Sequence, residues 1–299
     1  MNRETLDFLK MNDVEYKVGF CLAEISPIKI GPEAFAVAYP NSFSKLIDLV
    51  EFLNDNKIKY KILGRMSNVL FIDSFYDGIV IRTDRLNDLS IEHNVVSASC
   101  GISLPYLCNI LCKAGLSGFE GLSGIPGSMG GALFGNAGAF GYEIGDRVVE
   151  VDCFDTKNRE VITLTADDIG FSYRYSGFKD NCYLIFSARF LLSQSDEISV
   201  RTEIERCRNI RIQSQPTDKP SLGSTFKRPK DGVFAAKLID DCGLKGYSVG
   251  GAQISTKHAG FIINAGGATV RDYIDLSDYV ADQVFEKHKI RLEREIEII

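Results

Sequence analysis

Residues 124–141 are the part of this sequence whose composition points most directly to chemistry. They read GIPGSMGGALFGNAGAFG and hold seven of the chain's 27 glycines. Glycine lets successive backbone N–H groups point into one concavity with no side chain between them, and such concavities bind phosphate oxygens. The tract therefore predicts a close approach of backbone to a phosphate ligand, and a pyrophosphate could be held there without many basic residues.

Two common phosphate-binding motifs are absent from the chain. No two glycines are separated by a single residue, so there is no G-x-G-x-x-G dinucleotide fingerprint, and no Gly-Lys-Ser/Thr sequence ends a P-loop. Glycine recurs at every third position from Gly115 to Gly130, as in collagen, but this stretch has one proline and the period ends there. A glycine-rich packing loop without any ligand is the remaining alternative.

The composition is that of a globular protein with room for two or three domains, with 299 residues, 45% hydrophobic and 25% charged. A formal charge of -6 argues against a duplex nucleic-acid partner, because such proteins neutralise phosphates with clustered Lys and Arg. The N-terminal sequence MNRETLDFLK lacks the features of a secretory signal, and no run of about 18 apolar residues occurs. We therefore expect a cytoplasmic protein with neither a membrane nor a nucleic-acid partner.

The cysteines and histidines indicate no metal site. The eight cysteines form no C-x-x-C pair, and the three histidines show no metal-ligand spacing. We predict mostly buried, reduced thiols.

The elements before the tract follow from hydrophobic periodicity and turn residues. Ser42 or Ser44 is expected to cap a helix with apolar positions at Leu46, Leu49, Val50 and Leu53. Strands are expected at 60–63, 69–72, 79–81 and 95–100. A helix is expected at 104–114, with Gly115 as its left-handed stop.

The pattern changes after the tract. Strands are predicted at 148–151, 161–164 and 183–186, followed beyond Ser193 by helices near 198–212, 233–241 and 271–287. We place the domain boundary at this composition shift, which gives an N-terminal domain of 1–192, with subdomains of about 1–85 and 86–192, and a C-terminal domain of 193–299.

The tract, extended to residues 115–146, closely resembles the flavin-binding segment of the UDP-N-acetylenolpyruvoylglucosamine reductases, where glycine-rich backbone wraps the FAD pyrophosphate. Further blocks follow in the order of that family. They are ILGRMSNVLF at 62–71, FSYRYS at 171–176, QPTDKPSLGSTFKRP at 215–229, the segment 235–266 and LEREIEII at 292–299. The short link between FSYRYS and SLGSTFK, with His258 in KHAG, resembles the shorter type II form.

This resemblance implies an α+β fold, with a two-part FAD-binding domain of the vanillyl-alcohol-oxidase/PCMH type followed by a smaller α/β substrate-binding domain. It implies reduction of UDP-N-acetylglucosamine enolpyruvate to UDP-N-acetylmuramate, with bound FAD and with NADPH as hydride donor. The step belongs to peptidoglycan precursor synthesis, and so to cell-wall biogenesis, cell shape, cell division and the cell cycle. A flavin is required because no side chain stores a hydride. We expect a monomer or weak homo-oligomer.

The resemblance also implies which residues form the site. Arg174 matches the family's catalytic arginine, whose planar guanidinium suits a carboxylate. Ser224 matches the acid that protonates the alpha carbon, although a serine in Gly-Ser-Thr would by itself indicate a turn. The expected cofactor-binding residues are Gly64, Ser67, Asn68, Gly124, Gly127, Ser128, Gly130, Gly131, Asn136 and Gly138.

The C-terminal carboxylates are harder to assign. Glu295 matches the glutamate that, with Arg174, stabilises the enol intermediate. Spacing alone does not choose it from Glu293 and Glu297, because residues two apart lie on the same face of a strand. Lys227 is a candidate ligand for the phosphate of the substrate or of NADPH. His258 is expected to be structural.

One position departs from the family pattern. Met66 stands where the family has glycine immediately before Ser-Asn, with Arg65 before it. A side chain here could crowd the flavin diphosphate, or the loop could shift. Two alternatives follow from this departure, an oxidase on the same flavin fold and a catalytically silent flavin- or nucleotide-sugar-binding protein.

Overall fold

The computed structural model describes residues 3–72, 74–230 and 232–299. Its α-helices, in chain order, are α1 Arg3–Met11, α2 Phe43–Asp55, α3 Leu104–Lys113, α4 Met129–Gly135, α5 Ala166–Ile169, α6 Glu197–Ser214, α7 Ala235–Asp241 and α8 Val270–His288.

Most of the strands build three sheets of four or five strands, and the others form two-stranded pairs. In chain order they are β1 Glu15–Cys21, β2 Glu33–Tyr39, β3 Tyr60–Leu63, β4 Val69–Leu70, β5 Phe75–Arg82, β6 Leu89–Glu92, β7 Val95–Ser99, β8 Leu116–Ser117, β9 Gly138–Ala139, β10 Tyr142–Glu143, β11 Val148–Asp155, β12 Glu160–Thr165, β13 Tyr183–Leu191, β14 Ser193–Gln194, β15 Ser221–Ser224, β16 Ser248–Val249, β17 Ala252–Ile254, β18 Phe261–Asn264 and β19 Glu297–Ile298.

The chain forms two compact units. The first contains residues 1–20, 34–65 and 77–209, and the second contains 21–33, 66–76 and 210–299. The predicted domain boundary lies between residues 192 and 193. The first compact unit extends beyond it, because it includes α6 up to Asn209. The second unit also includes two earlier segments. The domain limits themselves stay a prediction.

The first unit carries two sheets. One has the strand order β1-β2-β5-β3, with β3 and β5 parallel, and the other is an antiparallel sheet of order β12-β11-β13-β7-β6. Helices α2, α3 and α4 contribute to one apolar cluster with both sheets. This mixed sheet and helix content is the α+β arrangement expected from the sequence.

Local sequence explains the helices of this unit. Ser42 is the N-cap of α2, and its side chain accepts a hydrogen bond from the Lys45 N–H at 3.3 Å. The apolar positions expected on the buried face are all buried. Helix α3 ends before Gly115, whose φ of 65° is the left-handed conformation that stops a helix. Both predictions are confirmed.

The second unit has its own core. Its antiparallel sheet has the order β15-β18-β17-β16, and α7 and α8 pack on it with a separate apolar cluster. Thr269 and Asp272 form a capping box at the start of α8. Strand β19 pairs in parallel with β4, with Glu297 opposite Val69. The C-terminal residues therefore meet a segment more than two hundred residues earlier in the chain.

The thiols behave as expected from their scattered positions. All eight cysteines are free, and five of them are buried. Burial raises the pKa of Cys100 and Cys153 to about 12, which keeps these thiols protonated and unreactive at neutral pH.

Candidate active site

The two predicted flavin loops come together in the first unit. Ser128 caps α4 by accepting a hydrogen bond from the Gly131 N–H at 3.2 Å, and the Ser128 side chain is 2% exposed. A Cβ at Gly64 would collide with Ser128 Oγ and lie 3.0 Å from its Cβ. Only glycine therefore lets the first loop approach the second this closely.

Arg174 lies on a tight turn in the same unit. The Ser172 N–H donates to the Tyr175 carbonyl at 3.1 Å, and the Tyr175 N–H returns a bond to the Ser172 carbonyl at 3.0 Å. Arg174 has a φ of 55°, which a residue with a bulky side chain seldom adopts. Its Nη2 donates to the carbonyl of Gly138 at 3.1 Å, so the side chain reaches the end of the glycine tract.

Asn136, at the other end of α4, has its side chain fully engaged within the protein. It is 1% exposed, its Nδ2 donates to Glu143 Oε2 and to the Ser172 carbonyl, and its Oδ1 accepts from the Gly145 N–H. The sequence suggests a cofactor ligand here and gives no sign of this link to the arginine turn, because the partner is 36 residues away.

Ser224 and Glu295 are brought together in the second unit. The Glu295 N–H donates to the carbonyl of Thr225 at 2.9 Å, next to Ser224 at the end of β15. Phe226 and Arg294 form an antiparallel bridge beside this bond. The backbone of the predicted acid and that of the predicted glutamate are thus held in register.

The first flavin loop reaches the same place in the second unit. Asn68 Nδ2 donates to the Glu295 carbonyl at 3.0 Å, and the Glu297 N–H donates to the Asn68 carbonyl at 2.9 Å. Glu295 is half-buried, whereas Glu293 and Glu297 are exposed. The lower exposure of Glu295 therefore distinguishes it from Glu293 and Glu297, which periodicity alone could not do. The meeting of Arg174 with Ser224 and Glu295 stays a prediction.

Thr225 is a residue that the sequence analysis missed. Its side chain is buried, and its Oγ1 lies 3.2 Å from the hydroxyl of Tyr273 and accepts a bond from the Ile262 N–H at 3.3 Å. These contacts tie the end of β15 to α8 and β18. The threonine after Ser224 was the only sequence signal, and it does not reveal a partner 48 residues away.

Comparison with known proteins gives the same picture along the whole chain. Residues 34–165 match the family described as "FAD binding domain", and residues 215–299 match "UDP-N-acetylenolpyruvoylglucosamine reductase, C-terminal domain". The UDP-N-acetylenolpyruvoylglucosamine reductase of Fervidobacterium nodosum is 40% identical over 93% of this chain and 89% of its own length. That of Streptococcus pneumoniae is 38% identical over all of this chain and 98% of its own length.

The chain belongs to the UDP-N-acetylenolpyruvoylglucosamine reductase family. It is an FAD-dependent oxidoreductase that uses NADPH to reduce UDP-N-acetylglucosamine enolpyruvate in peptidoglycan synthesis. Family membership over the full length disfavours the oxidase and the silent binding protein. The assignment to the shorter type II form stays a prediction.

Solved structures support this family and its fold. The UDP-N-acetylenolpyruvylglucosamine reductase of Thermus caldophilus superposes with a TM-score of 0.80 at 28% identity, over 95% of this chain and 98% of that one. An alkyldihydroxyacetonephosphate synthase has a TM-score of 0.50 at 18% identity, over 65% of this chain and 41% of that one, which shows a common fold alone. The expected flavin fold of the vanillyl-alcohol-oxidase/PCMH type is confirmed.

The surroundings of Gly131 on α4 leave space for bound FAD. A Cβ at Gly131 would meet only Ser128 Oγ at 3.4 Å, an ordinary contact, and Gly131 is exposed. In contrast, a Cβ at Gly130 would lie 2.8 Å from the Cβ of Cys100, and one at Gly138 would lie 2.8 Å from Glu143. Protein packing therefore explains Gly130 and Gly138, whereas Gly131 presents exposed backbone with space beside it for a ligand.

The methionine that departs from the family pattern has a structural explanation. Met66 has a φ of 56°, the left-handed region that favours glycine, and it is 3% exposed. The loop therefore keeps a backbone suited to glycine while the methionine side chain is buried. Arg65 beside it is exposed.

Lys227 and His258 have partners within the second unit. Lys227 Nζ forms an ion pair with the exposed Glu293. The His258 ring packs edge-on against Phe261, and its Nδ1 accepts from the Gly260 N–H at 3.2 Å. Burial, and then the charge of Lys245, lowers the pKa of His258, so the ring is neutral at pH 7.

No metal site or membrane span is found where the structure can be described. Residues 3–72, 74–230 and 232–299 hold no group of three His, Cys, Asp or Glu side chains arranged for a metal ion. Within the same ranges, no helix combines the length and apolar character needed to cross a bilayer.

Proposed function

We propose that Arg174, Ser224 and Glu295 are the catalytic residues of this reductase and act together on one enolpyruvyl group. FAD, when bound, supplies the hydride that is added to the carbon beta to the carboxylate. Negative charge then develops at the alpha carbon and the carboxylate. The protein has to hold that carboxylate, stabilise the charge and deliver a proton to the alpha carbon.

Arg174 is proposed to bind the substrate carboxylate and stabilise the enol. A guanidinium presents paired N–H donors that match a carboxylate and it remains charged at any physiological pH. The bond from Arg174 Nη2 to the Gly138 carbonyl supports this role, because it orients the guanidinium at the glycine tract. A lysine ammonium lacks this planar pair of donors.

Ser224 is proposed to donate the proton to the alpha carbon. A serine hydroxyl is a weak acid, so this role requires a strongly basic, carbanion-like acceptor and a fixed geometry. The hydrogen bond from the Glu295 N–H to the Thr225 carbonyl is the observation that carries this proposal, since it fixes the backbone beside Ser224 and Glu295 together. The contact from Asn68 to the Glu295 carbonyl adds a residue of the first flavin loop.

Lys227 is proposed to bind a phosphate of the sugar nucleotide or of NADPH. Its ion pair with Glu293 involves a carboxylate side chain that is 73% exposed. Exposed ion pairs contribute roughly 0–1 kcal/mol. A phosphate that carries more charge can therefore replace Glu293 at low cost.

The predicted cofactor contacts at Gly64, Ser67, Asn68, Gly124, Gly127, Ser128, Gly130, Gly131 and Gly138 form part of the same proposal. The predicted contact at Asn136 does not, because its amide donors are used by Glu143 and Ser172. We also propose a cytoplasmic location, no nucleic-acid partner, and a monomer or weak homo-oligomer. The net charge of -6 supports the second proposal. Sedimentation velocity across a range of protein concentrations tests the third.

Ser224→Ala tests the proton donor. Reduction of bound FAD by NADPH should stay within about twofold of the unchanged protein, because no substrate proton is involved in that half-reaction. Oxidation of the reduced flavin by the enolpyruvyl sugar nucleotide should slow by about 100-fold or more, within the range of general acid catalysis. Both rates are followed by flavin absorbance in anaerobic stopped flow. Equal slowing of the two half-reactions would contradict the assigned role.

A further inference from the structure

Asn136 occupies an unusual position at the end of α4. It has a φ of 42°, a left-handed conformation in which asparagine is enriched, and only 1% of its surface is exposed. A buried polar side chain has to satisfy its hydrogen-bonding groups within the protein. The partners of Asn136 therefore indicate what the residue does.

Both N–H donors of the Asn136 amide are used within the protein. Nδ2 lies 2.8 Å from Glu143 Oε2 and 2.9 Å from the Ser172 carbonyl, and Oδ1 accepts from the Gly145 N–H at 3.1 Å. Only one orientation of the amide fits these partners, because the nitrogen faces two acceptors and the oxygen faces a donor. The amide has no donor left for a direct bond to a cofactor.

The Ser172 carbonyl belongs to the turn that presents Arg174. The same carbonyl accepts the N–H of Tyr175 and so closes that turn. Ser176, directly after the turn, is fully buried, and its Oγ donates to the Phe134 carbonyl on α4 at 2.8 Å. Both ends of the turn are therefore bound to the last residues of α4 and the residue that follows them.

Arg174 itself needs this support. A left-handed backbone costs a non-glycine residue on the order of 1–2 kcal/mol, and Arg174 has a φ of 55°. Lys179 Nζ also donates to the Arg174 carbonyl at 2.8 Å. The strained conformation persists because the neighbouring bonds hold it.

We infer that Asn136 is a positioning residue that sets the geometry of Arg174 through the Ser172 carbonyl, rather than a ligand of the cofactor. Glu143 keeps the amide in the required orientation by accepting its second N–H. The inference rests on the proposed function, because it assigns Asn136 to the reaction step in which Arg174 is proposed to act. It deepens that function by naming a residue that controls the arginine without touching substrate.

Asn136→Gly removes the amide and leaves a residue that adopts a φ of 42° without strain. We expect oxidation of the reduced flavin by substrate to slow about 10- to 100-fold, the effect of a misplacement of about 1 Å. Reduction of the flavin by NADPH and the Kd for FAD should each stay within about twofold, since neither depends on Arg174. Asn136→Asp, which keeps the size and tolerates the same backbone, replaces it if Asn136→Gly does not fold.

A double-mutant cycle with Arg174→Ala separates positioning from other effects. If Asn136 acts through Arg174, the effect of Asn136→Gly should fall below about threefold once the arginine is absent, because the two side chains are coupled. A matched control is Asn181→Gly, which removes an exposed amide that donates to the Gly177 carbonyl and should change neither rate.

Three outcomes would overturn the inference, and they differ in what else they affect. A full effect of Asn136→Gly in the Arg174→Ala background leaves the role of Arg174 intact and removes only the positioning role. A raised Kd for FAD with an unchanged rate in the loaded enzyme makes Asn136 a cofactor ligand. An unchanged rate in Arg174→Ala alone overturns the proposed catalytic role of the arginine together with this inference.

Discussion

Gly131 offers a test of whether the glycine tract holds a ligand. It lies inside α4 with an exposed backbone, and an added Cβ would find its nearest protein atom, Ser128 Oγ, at 3.4 Å. Gly135 lies in the same helix, and no protein atom comes within 4 Å of an added Cβ there. Gly131→Ala and Gly135→Ala therefore add the same methyl group to the same helix, and only the first adds it at a predicted cofactor contact.

Gly131→Ala is expected to stabilise the flavin-free protein and to weaken FAD binding. Alanine stabilises a helix interior by about 0.8–1.0 kcal/mol relative to glycine. Gly135 is the last residue of α4 and should gain less than Gly131, and neither site has a clash to offset the gain. The Gly131 N–H is bonded to Ser128 Oγ. If the FAD diphosphate lies against Gly131, the methyl group therefore pushes a charged oxygen away from a neighbouring donor, and that lost hydrogen bond is worth about 1.5–3 kcal/mol. That loss corresponds to a Kd for FAD raised about 10- to 150-fold.

The assay is a titration of flavin-free protein with FAD, followed by the change in flavin fluorescence, beside thermal unfolding of the same preparations. Gly131→Ala should raise the Tm of the flavin-free protein by about 2–4 °C, and Gly135→Ala should raise it by less. Only Gly131→Ala should weaken FAD binding. If both variants bind FAD as tightly as the unchanged protein, the explanation of Gly131 by ligand approach is refuted.

Two other changes test the second unit. Met66→Gly should leave the Kd for FAD unchanged, because the methionine is buried. It should lower the free energy of unfolding. Relief of a left-handed backbone gains about 1–2 kcal/mol, but truncation of a buried methionine costs about 2–5 kcal/mol. A higher unfolding midpoint in denaturant, or tighter FAD binding, would contradict this. The lowered pKa of His258 means that the unfolded chain takes up its proton first as pH falls below the usual value of 6.5. Stability is then lost as pH falls from there towards the folded-state pKa, so His258→Gln should reduce the dependence of unfolding free energy on pH just below 6.5. An unchanged pH dependence in denaturant titrations would argue against a buried neutral ring.

The local elements were predictable because each depends on residues close together in sequence. Helix α2 follows from the serine cap and from apolar residues recurring three and four positions apart, and its burial agrees with that pattern. Helix α3 and its glycine stop follow in the same way. Strands at 60–63 and 95–100 were predicted from short apolar runs between turn residues, and the structure has strands at Tyr60–Leu63 and Val95–Ser99.

The features that sequence did not reveal all depend on contacts between distant segments. The amide of Asn136 reaches Ser172, and the side chain of Asn68 reaches the carbonyl of Glu295, 227 residues later. No periodicity within a single element encodes such a partner. Nothing in the residues around Met66 indicates its left-handed backbone. The one sign of it is that the family has glycine at this position, and glycine favours that conformation.

The high glycine content of the tract has several physical causes, and a count of glycines cannot separate them. Gly130 allows α4 to pack on Cys100, and Gly138 lies against Glu143 while its carbonyl accepts the guanidinium of Arg174. Gly131 and Gly135, in contrast, have free space beside an added Cβ. One short helix thus carries the backbone open to a ligand and ends at Asn136, which holds the arginine turn. Because a helix moves as a unit, a displacement of α4 at Gly131 has to displace the support of Arg174 as well.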